Sequence, residues 1–314
     1  MKRIIPMAIA PIAMAASSCA SAQDASTLFQ PAEIAVNATE AELMESTRNL
    51  FVQDSMNIFR RFDKALTARM VTFYVDALAL RSLSPIQLTA TQQMILTGVG
   101  SGQIKLSAEL PESRQYHLGG VTAATGIRLL ILSYPDEAKV LERFATAGLE
   151  APSFSDQGDG SRAALVLDPG GFPVQIVIRP GVPDHSDGGA AIAINVSDLD
   201  KSRAFYREFV GLDELDPVED PLLGLTLYPY RHKETTVYLF KAGENLPADT
   251  GSAGIQYVVS DAALANAKGK KRGVAVETPL NTLRGFALTT VWLNDPDGVT
   301  NYYAQIGPDP AAGD

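Results

Sequence analysis

The sequence predicts an α+β protein built from four β-α-β-β-β modules, and three observations lead there. A two-part motif occurs twice: Phe73-Tyr74 with Leu78-Ala79-Leu80, then Asp168-Pro169-Gly170-Gly171; and Phe205-Tyr206 with Val210-Gly211-Leu212, then Asp295-Pro296-Asp297-Gly298. In both copies the last Leu of the first part lies six residues after the Tyr. A repeat this long is a domain. Each copy divides again, because Gly148 and Gly273 each lie twelve residues after an Asp, Asp136 and Asp261, and each segment leads to an Asp-Pro after a similar interval. Short β-rich runs also alternate with helix-like segments along the chain.

At the N-terminus, Lys2 and Arg3, an apolar run from Ile4 to Ala16, and Ala20-Ser21-Ala22 match the three parts of a secretory signal, residues 1–22, with cleavage expected before Gln23. The run falls short of the roughly 20 apolar residues that span a bilayer, and Pro6 and Pro11 interrupt it. No other segment is a spanning candidate. The expected location is the periplasm or the cell exterior. The one cysteine, Cys19, lies in the presequence, so the mature chain is expected to hold no disulfide, thiolate ligand or cysteine nucleophile. Lipid attachment at Cys19 is the minor alternative, because Ala16-Ser17-Ser18 lacks the usual leucine.

Residues 23–55 read as a leader, partly mobile, with a helix from Glu40 to Phe51 capped by Thr39. The first large domain is expected over 56–180, a linker over 181–189, the second domain over 190–306 and a tail over 307–314. The modules open with Asn57–Phe62, Ile127–Leu132, Ala191–Val196 and Ile255–Val259. After the third, Ser197-Asp198 can cap a helix whose Phe205, Tyr206, Phe209 and Val210 share one face. Gly148 is placed to end the corresponding helix of the second. Three strand candidates follow each helix, such as Leu225–Tyr230 and Thr235–Phe240. Gly98-Val99-Gly100-Ser101-Gly102 reads as a hairpin rather than a phosphate loop, and the two Asp-Pro segments read as tight turns rather than catalytic sites.

The formal charge is −10, or −12 without Lys2 and Arg3. Lys268-Gly269-Lys270-Lys271-Arg272 is the one basic cluster and reads as a solvated helix end. Nucleic acid is therefore not an expected partner.

The paired modules, the run Ile194-Asn195-Val196-Ser197-Asp198-Leu199-Asp200-Lys201-Ser202-Arg203-Ala204-Phe205-Tyr206 and the closing Asp295-Pro296-Asp297-Gly298 resemble the vicinal oxygen chelate superfamily. That group includes glyoxalase I, extradiol dioxygenases and bleomycin-binding resistance proteins. The resemblance covers about residues 56–306 and implies two glyoxalase-like domains whose mixed sheets curl into open cups, with the ligand inside. In metal-using members, His or Glu side chains from the first and last strands hold a divalent ion that acts as a Lewis acid or holds a reactive oxygen.

Carried onto this chain, the implied ligand positions fall on Met56, Leu129, Ala191 and Gly254 on the first strands. Gln175 and Tyr302 follow the Asp-Pro turns at the position of the closing Glu, and the remaining positions fall near Ser107 and Phe240. None is a His, Asp or Glu. The expectation is therefore no metal and no other cofactor, with a divalent ion returning if the strand register is off by a residue or two. His117, His185 and His232 read as surface residues without metal spacing.

Strand alternation then puts Ala191, Ala193 and Asn195, with Gly254 and Gln256, on the wall of a second cup, joined by Thr300 and Tyr302. Of Arg60-Arg61, one must face inward and would suit a carboxylate or phosphate; solvent exposure or a structural ion pair competes with that. The candidate ligand-binding residues are Arg60, Gln175, Asn195, Gln256 and Tyr302, and no catalytic residue is assigned. Most of the aromatic set Tyr228, Tyr230, Tyr238, Phe240, Trp292, Tyr302 and Tyr303 reads as packing, Tyr302 excepted. The leading expectation is an exported protein that binds a small organic molecule without the family metal, with a homodimer as an open assembly. A metal-dependent lyase or dioxygenase with displaced ligands, and a structural protein with filled cups, stay open.

Overall fold

The structure, a computed structural model, describes residues 28–88, 92–182, 189–283 and 285–307. The export segment with Cys19, and His185 in the linker, lie outside the described residues. A short strand β1 (Phe29–Pro31) and helix α1 (Glu40–Met44) precede the modules. Module one holds β2 (Asn57–Arg61), α2 (Thr67–Val71), β3 (Arg81–Gln87), β4 (Gln93–Val99) and β5 (Gly102–Ser107). Module two holds β6 (Gly126–Tyr134), α3 (Glu137–Thr146), β7 (Ser155–Asp156), β8 (Arg162–Leu167) and β9 (Pro173–Ile178). In module three, β10 (Ala191–Asn195) and α4 (Leu199–Ala204) lead to β11 (Asp213–Glu214), β12 (Val218–Asp220), β13 (Leu225–His232) and β14 (Thr235–Phe240). Module four closes with β15 (Ala253–Val258), α5 (Ala262–Lys271), β16 (Ala275–Leu283), β17 (Leu288–Asn294) and β18 (Thr300–Ile306).

Local chemistry starts and stops the helices as the sequence implies. Asp136, Asp198 and Asp261 cap α3, α4 and α5, each accepting a hydrogen bond from the backbone N–H three residues on. Beyond α3 and α5, Gly148 and Gly273 take φ of +69° and +68°, which a residue with a Cβ adopts only at a cost.

The two parts of the repeated motif meet in space. Tyr74 donates from its hydroxyl to Asp168 at 3.0 Å, and Tyr206 donates to Asp295 at 3.0 Å. Both tyrosines lie in π-helical stretches, Thr72–Ala77 and Phe205–Val210, which extend α2 and α4. Each Asp also accepts turn N–H groups, from Gly170 and Phe172 in one copy and from Asp297 and Val299 in the other. The repeat is thus a buried helix-to-turn clasp, and the turn reading of Asp-Pro stands on these bonds.

Within every module the first strand pairs in parallel with the last: β2 with β5, β6 with β9, β10 with β14 and β15 with β18. Between modules, first strands pair antiparallel, β2 with β15 and β6 with β10. The result is two nine-stranded sheets, one from modules one and four and the other from modules two and three. Each sheet therefore takes one module from each half of the chain, whereas the expected second cup joined modules three and four. Ala191 and Asn195 belong to one cup, and Gln256 and Tyr302 to the other.

On the helix-bearing faces, Ile58, Ile104, Ile192, Ile194, Val291 and Leu293 join one continuous core with Phe144 and Tyr303. Full burial of each such aliphatic side chain contributes about 1.5–3 kcal/mol.

Three expectations need correction. Phe29–Pro31, within the supposedly mobile leader, pairs with Asn281–Leu283 at the sheet edge. The helix expected from Glu40 to Phe51 stops at Met44, followed by one 3₁₀ turn over Arg48–Leu50, although Thr39 does cap it in a capping box with Glu42. Lys268 is no solvated end: it is 3 % exposed, and its ammonium donates to the carbonyls of Glu42 and Glu45 at the end of α1.

Candidate functional site

The cup of modules two and three is filled. Its concave face carries Leu129, Ile131, Val177, Ala193, Leu227 and Phe240, and Leu222 and Leu223 from the turn between β12 and β13 pack against them. Asp220 at that turn accepts a hydrogen bond from Gln175 Nε2 at 2.8 Å. Gln175 thus holds the plug, leaving its amide committed within the protein.

The cup of modules one and four is open and holds a cavity of about 450 Å³. Strand alternation builds it: Phe59 and Arg61 of β2, Lys105 and Ser107 of β5, Gln256 of β15, Trp292 of β17, and Thr300 and Tyr302 of β18 all face inward. β1 adds Phe29 and the outer strands add Ile86, Met94 and Leu288. Four rings run across the wall, Phe29 to Trp292 at 6.1 Å, Trp292 to Tyr302 at 5.3 Å and Tyr302 to Phe59 at 5.4 Å between centroids. Burial pushes the Tyr302 phenol well above its ordinary pKa.

Cations rim this aromatic wall. The Arg61 guanidinium lies 5.8 Å from the Phe59 ring centre, as does the Lys105 ammonium, and Arg114 lies 5.5 Å from Trp292. Desolvation lowers the Lys105 pKa to about 8 and that of Arg61 to about 10, with Arg114 adding repulsion at Arg61. Glu277 is the one carboxylate among the described lining residues. It is committed to Arg114 and accepts from Thr300 Oγ1 at 2.7 Å.

Of the five residues singled out by sequence, the structure brings Gln256 and Tyr302 together in this cavity. Gln256 Oε1 accepts from Asn57 Nδ2 at 2.8 Å. The other three lie elsewhere. Arg60 points to the opposite face of β2, paired with Asp168 at 2.7 Å and set against the Phe172 ring, so the inward arginine is Arg61. Asn195 is wholly buried, donating to the Ala124 carbonyl and accepting from the Ala242 N–H. Of the aromatic set, Tyr230 and Tyr303 are core, Tyr238 and Phe240 belong to the filled cup, and Trp292 joins Tyr302 at the cavity.

The donor set does not fit the family metal. In the open cup the inward positions are Phe59, Lys105, Gln256 and Tyr302, beside two cations that would repel a divalent ion. The filled cup offers Leu129, Ala193 and Phe240, with Gln175 bound to Asp220. Among the described residues, no three His, Cys, Asp or Glu side chains are placed to hold a metal ion. His232, expected at the surface, is half-buried with its ring 5.6 Å from that of Phe51.

Paired β-α-β-β-β modules joined through their first strands define a glyoxalase-type fold, and solved structures share it. A mutant of glyoxalase I from Zea mays superposes with a TM-score of 0.65 at 17% identity, covering 85% of this chain and 97% of that one. Glyoxalase I from Zea mays gives 0.62 at 17% identity, over 80% and 92%. A putative dioxygenase from Bacillus subtilis subsp. subtilis str. 168 gives 0.58 at 16% identity, over 82% and 86%. Residues 190–303 match the family model of the Glyoxalase/Bleomycin resistance protein/Dioxygenase superfamily. A search of curated proteins finds no match. Among the described residues, no helix is long and apolar enough to cross a membrane.

Proposed function

We propose that this chain is an exported member of the superfamily that takes a small organic molecule into the cavity between modules one and four, without a metal centre. The contrast between the cups carries the reading: one is plugged by Leu222 and Leu223, while the other keeps about 450 Å³ between four aromatic rings. That volume and lining suit a small ligand with an apolar body oriented by a few polar groups.

Trp292 is the only tryptophan in the chain and stands in the cavity wall, so its emission reports ligand entry. Titration with small aromatic compounds is expected to give a saturable change in that emission, unaltered by prior dialysis against a chelator. A ligand at a hundredfold over its Kd should also raise stability by about 2.7 kcal/mol. Binding that is lost on chelation and restored by Mn, Fe, Zn or Ni would favour the displaced-ligand enzyme instead. Failure of a broad library in both assays would favour a structural role. Export predicts a periplasmic or secreted form with a mass beginning at Gln23, and a mass retaining residues 1–22 counts against it.

A further inference from the structure

We infer that the cavity between modules one and four selects a carboxylate-bearing aromatic molecule, its anionic group held by Arg61 and Lys105 and its ring laid along Phe59, Tyr302 and Trp292. This rests on the reading of the cavity as a ligand site and names the class of ligand. The argument is one of unmatched charge. Arg61 is 7 % exposed, and among the described residues its guanidinium makes one hydrogen bond, from Nη1 to the Gly251 carbonyl at 3.2 Å. Neither Arg61 nor Lys105 has a carboxylate within 4.0 Å among the described residues. The Lys105 ammonium lies against the Phe59 ring.

Elsewhere this fold compensates its buried guanidinium groups. Arg60 pairs with Asp168 at 2.7 Å, Arg128 with Asp249 at 2.9 Å, and Arg114 with Glu277. At the cavity Arg61 and Lys105 are left without a carboxylate partner among the described residues: β2 and β5 are parallel neighbours in which Phe59 pairs with Lys105, and each cation lies 5.8 Å from the centre of the Phe59 ring. Glu109 and Glu277 act on Arg61 only through longer-range attraction. A cation removed from water without a counter-charge is costly. An entering carboxylate supplies that counter-charge, accepting charge-assisted hydrogen bonds from the Arg61 fork and the Lys105 ammonium. The rings of Phe29, Phe59, Trp292 and Tyr302 and the aliphatic Ile86, Met94 and Leu288 make up much of the remaining wall, with Gln256, Ser107 and Thr300 as neutral polar groups, so the body of the ligand is largely apolar and flat.

The test is calorimetric titration of the full chain at pH 7 with 2-naphthoate, trans-cinnamate and indole-3-acetate, each against its primary amide. At least one acid is expected to bind tenfold or more tightly than its amide, with most of that preference lost in Lys105→Gln and in Arg61→Gln. Circular dichroism checks that each variant folds; if Arg61→Gln does not, Lys105→Gln decides. Amides that bind as tightly as the acids overturn the charge assignment while leaving the cavity as a binding site. An acid preference unchanged by substitution places the anion elsewhere and also overturns it. If neither acids nor amides bind, both the inference and the reading beneath it fall.

Discussion

Replacing Lys105 with Met should make the protein more stable and worse at holding an anion. The wild-type ammonium is held in a site that lowers its pKa from 10.5 to about 8 through desolvation alone. At 1.36 kcal/mol per unit, that is a burden of about 3 kcal/mol on the folded state at pH 7. Because the side chain keeps some access to solvent, about 1–3 kcal/mol is the expected gain in Lys105→Met. The sign over pH follows from linkage. Between pH 8 and 10.5 the unfolded chain keeps a proton that the folded chain has released, so this group makes stability rise with pH across that window. Urea unfolding of both proteins at pH 7 and pH 10.5 isolates the effect, since other titrations cancel in the difference. The variant should be ahead at pH 7, and the gap should shrink toward pH 10.5. A variant less stable than wild type at pH 7, with a difference independent of pH, would refute the reasoning.

Three further outcomes follow from the repeated clasp. Asp168→Ala strips Arg60 of its counter-ion and the turn of its acceptor, and should cost about 3–5 kcal/mol in urea unfolding; a loss below about 1 kcal/mol refutes the pairing as structural. Burial raises the Asp295 pKa from 3.8 to about 7, so the folded chain holds a proton there that the unfolded chain has lost. Stability should fall as pH rises from about 4 to 7 through this group, and Asp295→Asn should flatten that slope. An unchanged slope removes Asp295 as its source. Ala79 has φ of +53° where the second copy has Gly211 at +92°. Ala79→Gly should stabilise by about 0.5–1 kcal/mol, the relief of a left-handed Cβ less the entropy of glycine; destabilisation counts against strain at that position.

Much of the fold was legible because the repeated residues answer to local chemistry. Asp136, Asp198 and Asp261 cap helices through their own side chains, and the Tyr-to-Asp bond explains why the two motif parts travel together. The pairing of module one with four was not legible, because local periodicity fixes a strand and its faces but not its distant neighbour. Arg60 and Arg61 were ambiguous for a related reason. Both are buried, so no polar-out, apolar-in contrast phases the strand. A usable signal lay in the next positions: with Phe59 facing the cup, alternation sends Arg61 there and Arg60 to Asp168. Lys105 alternates with Ile104 and Leu106 in β5, which as sequence reads as an exposed charge on a half-buried strand. Only the curl of the sheet turns that side into an interior. Phe29 was missed because a three-residue strand ending in Pro31 carries almost no pattern.

The cross-pairing of modules also orders events in time. Phe59, Arg61 and Lys105 are made early in synthesis, whereas Trp292 and Tyr302 sit near the other end of the chain. The cavity they share through β2 and β15 cannot exist on a partly synthesised polypeptide, and a ligand cannot stabilise the protein until the last strand has docked. Contacts of such sequence separation close slowly. Until then the exposed edge of β2 is open to another chain, which makes the C-terminal module the guardian of the N-terminal one.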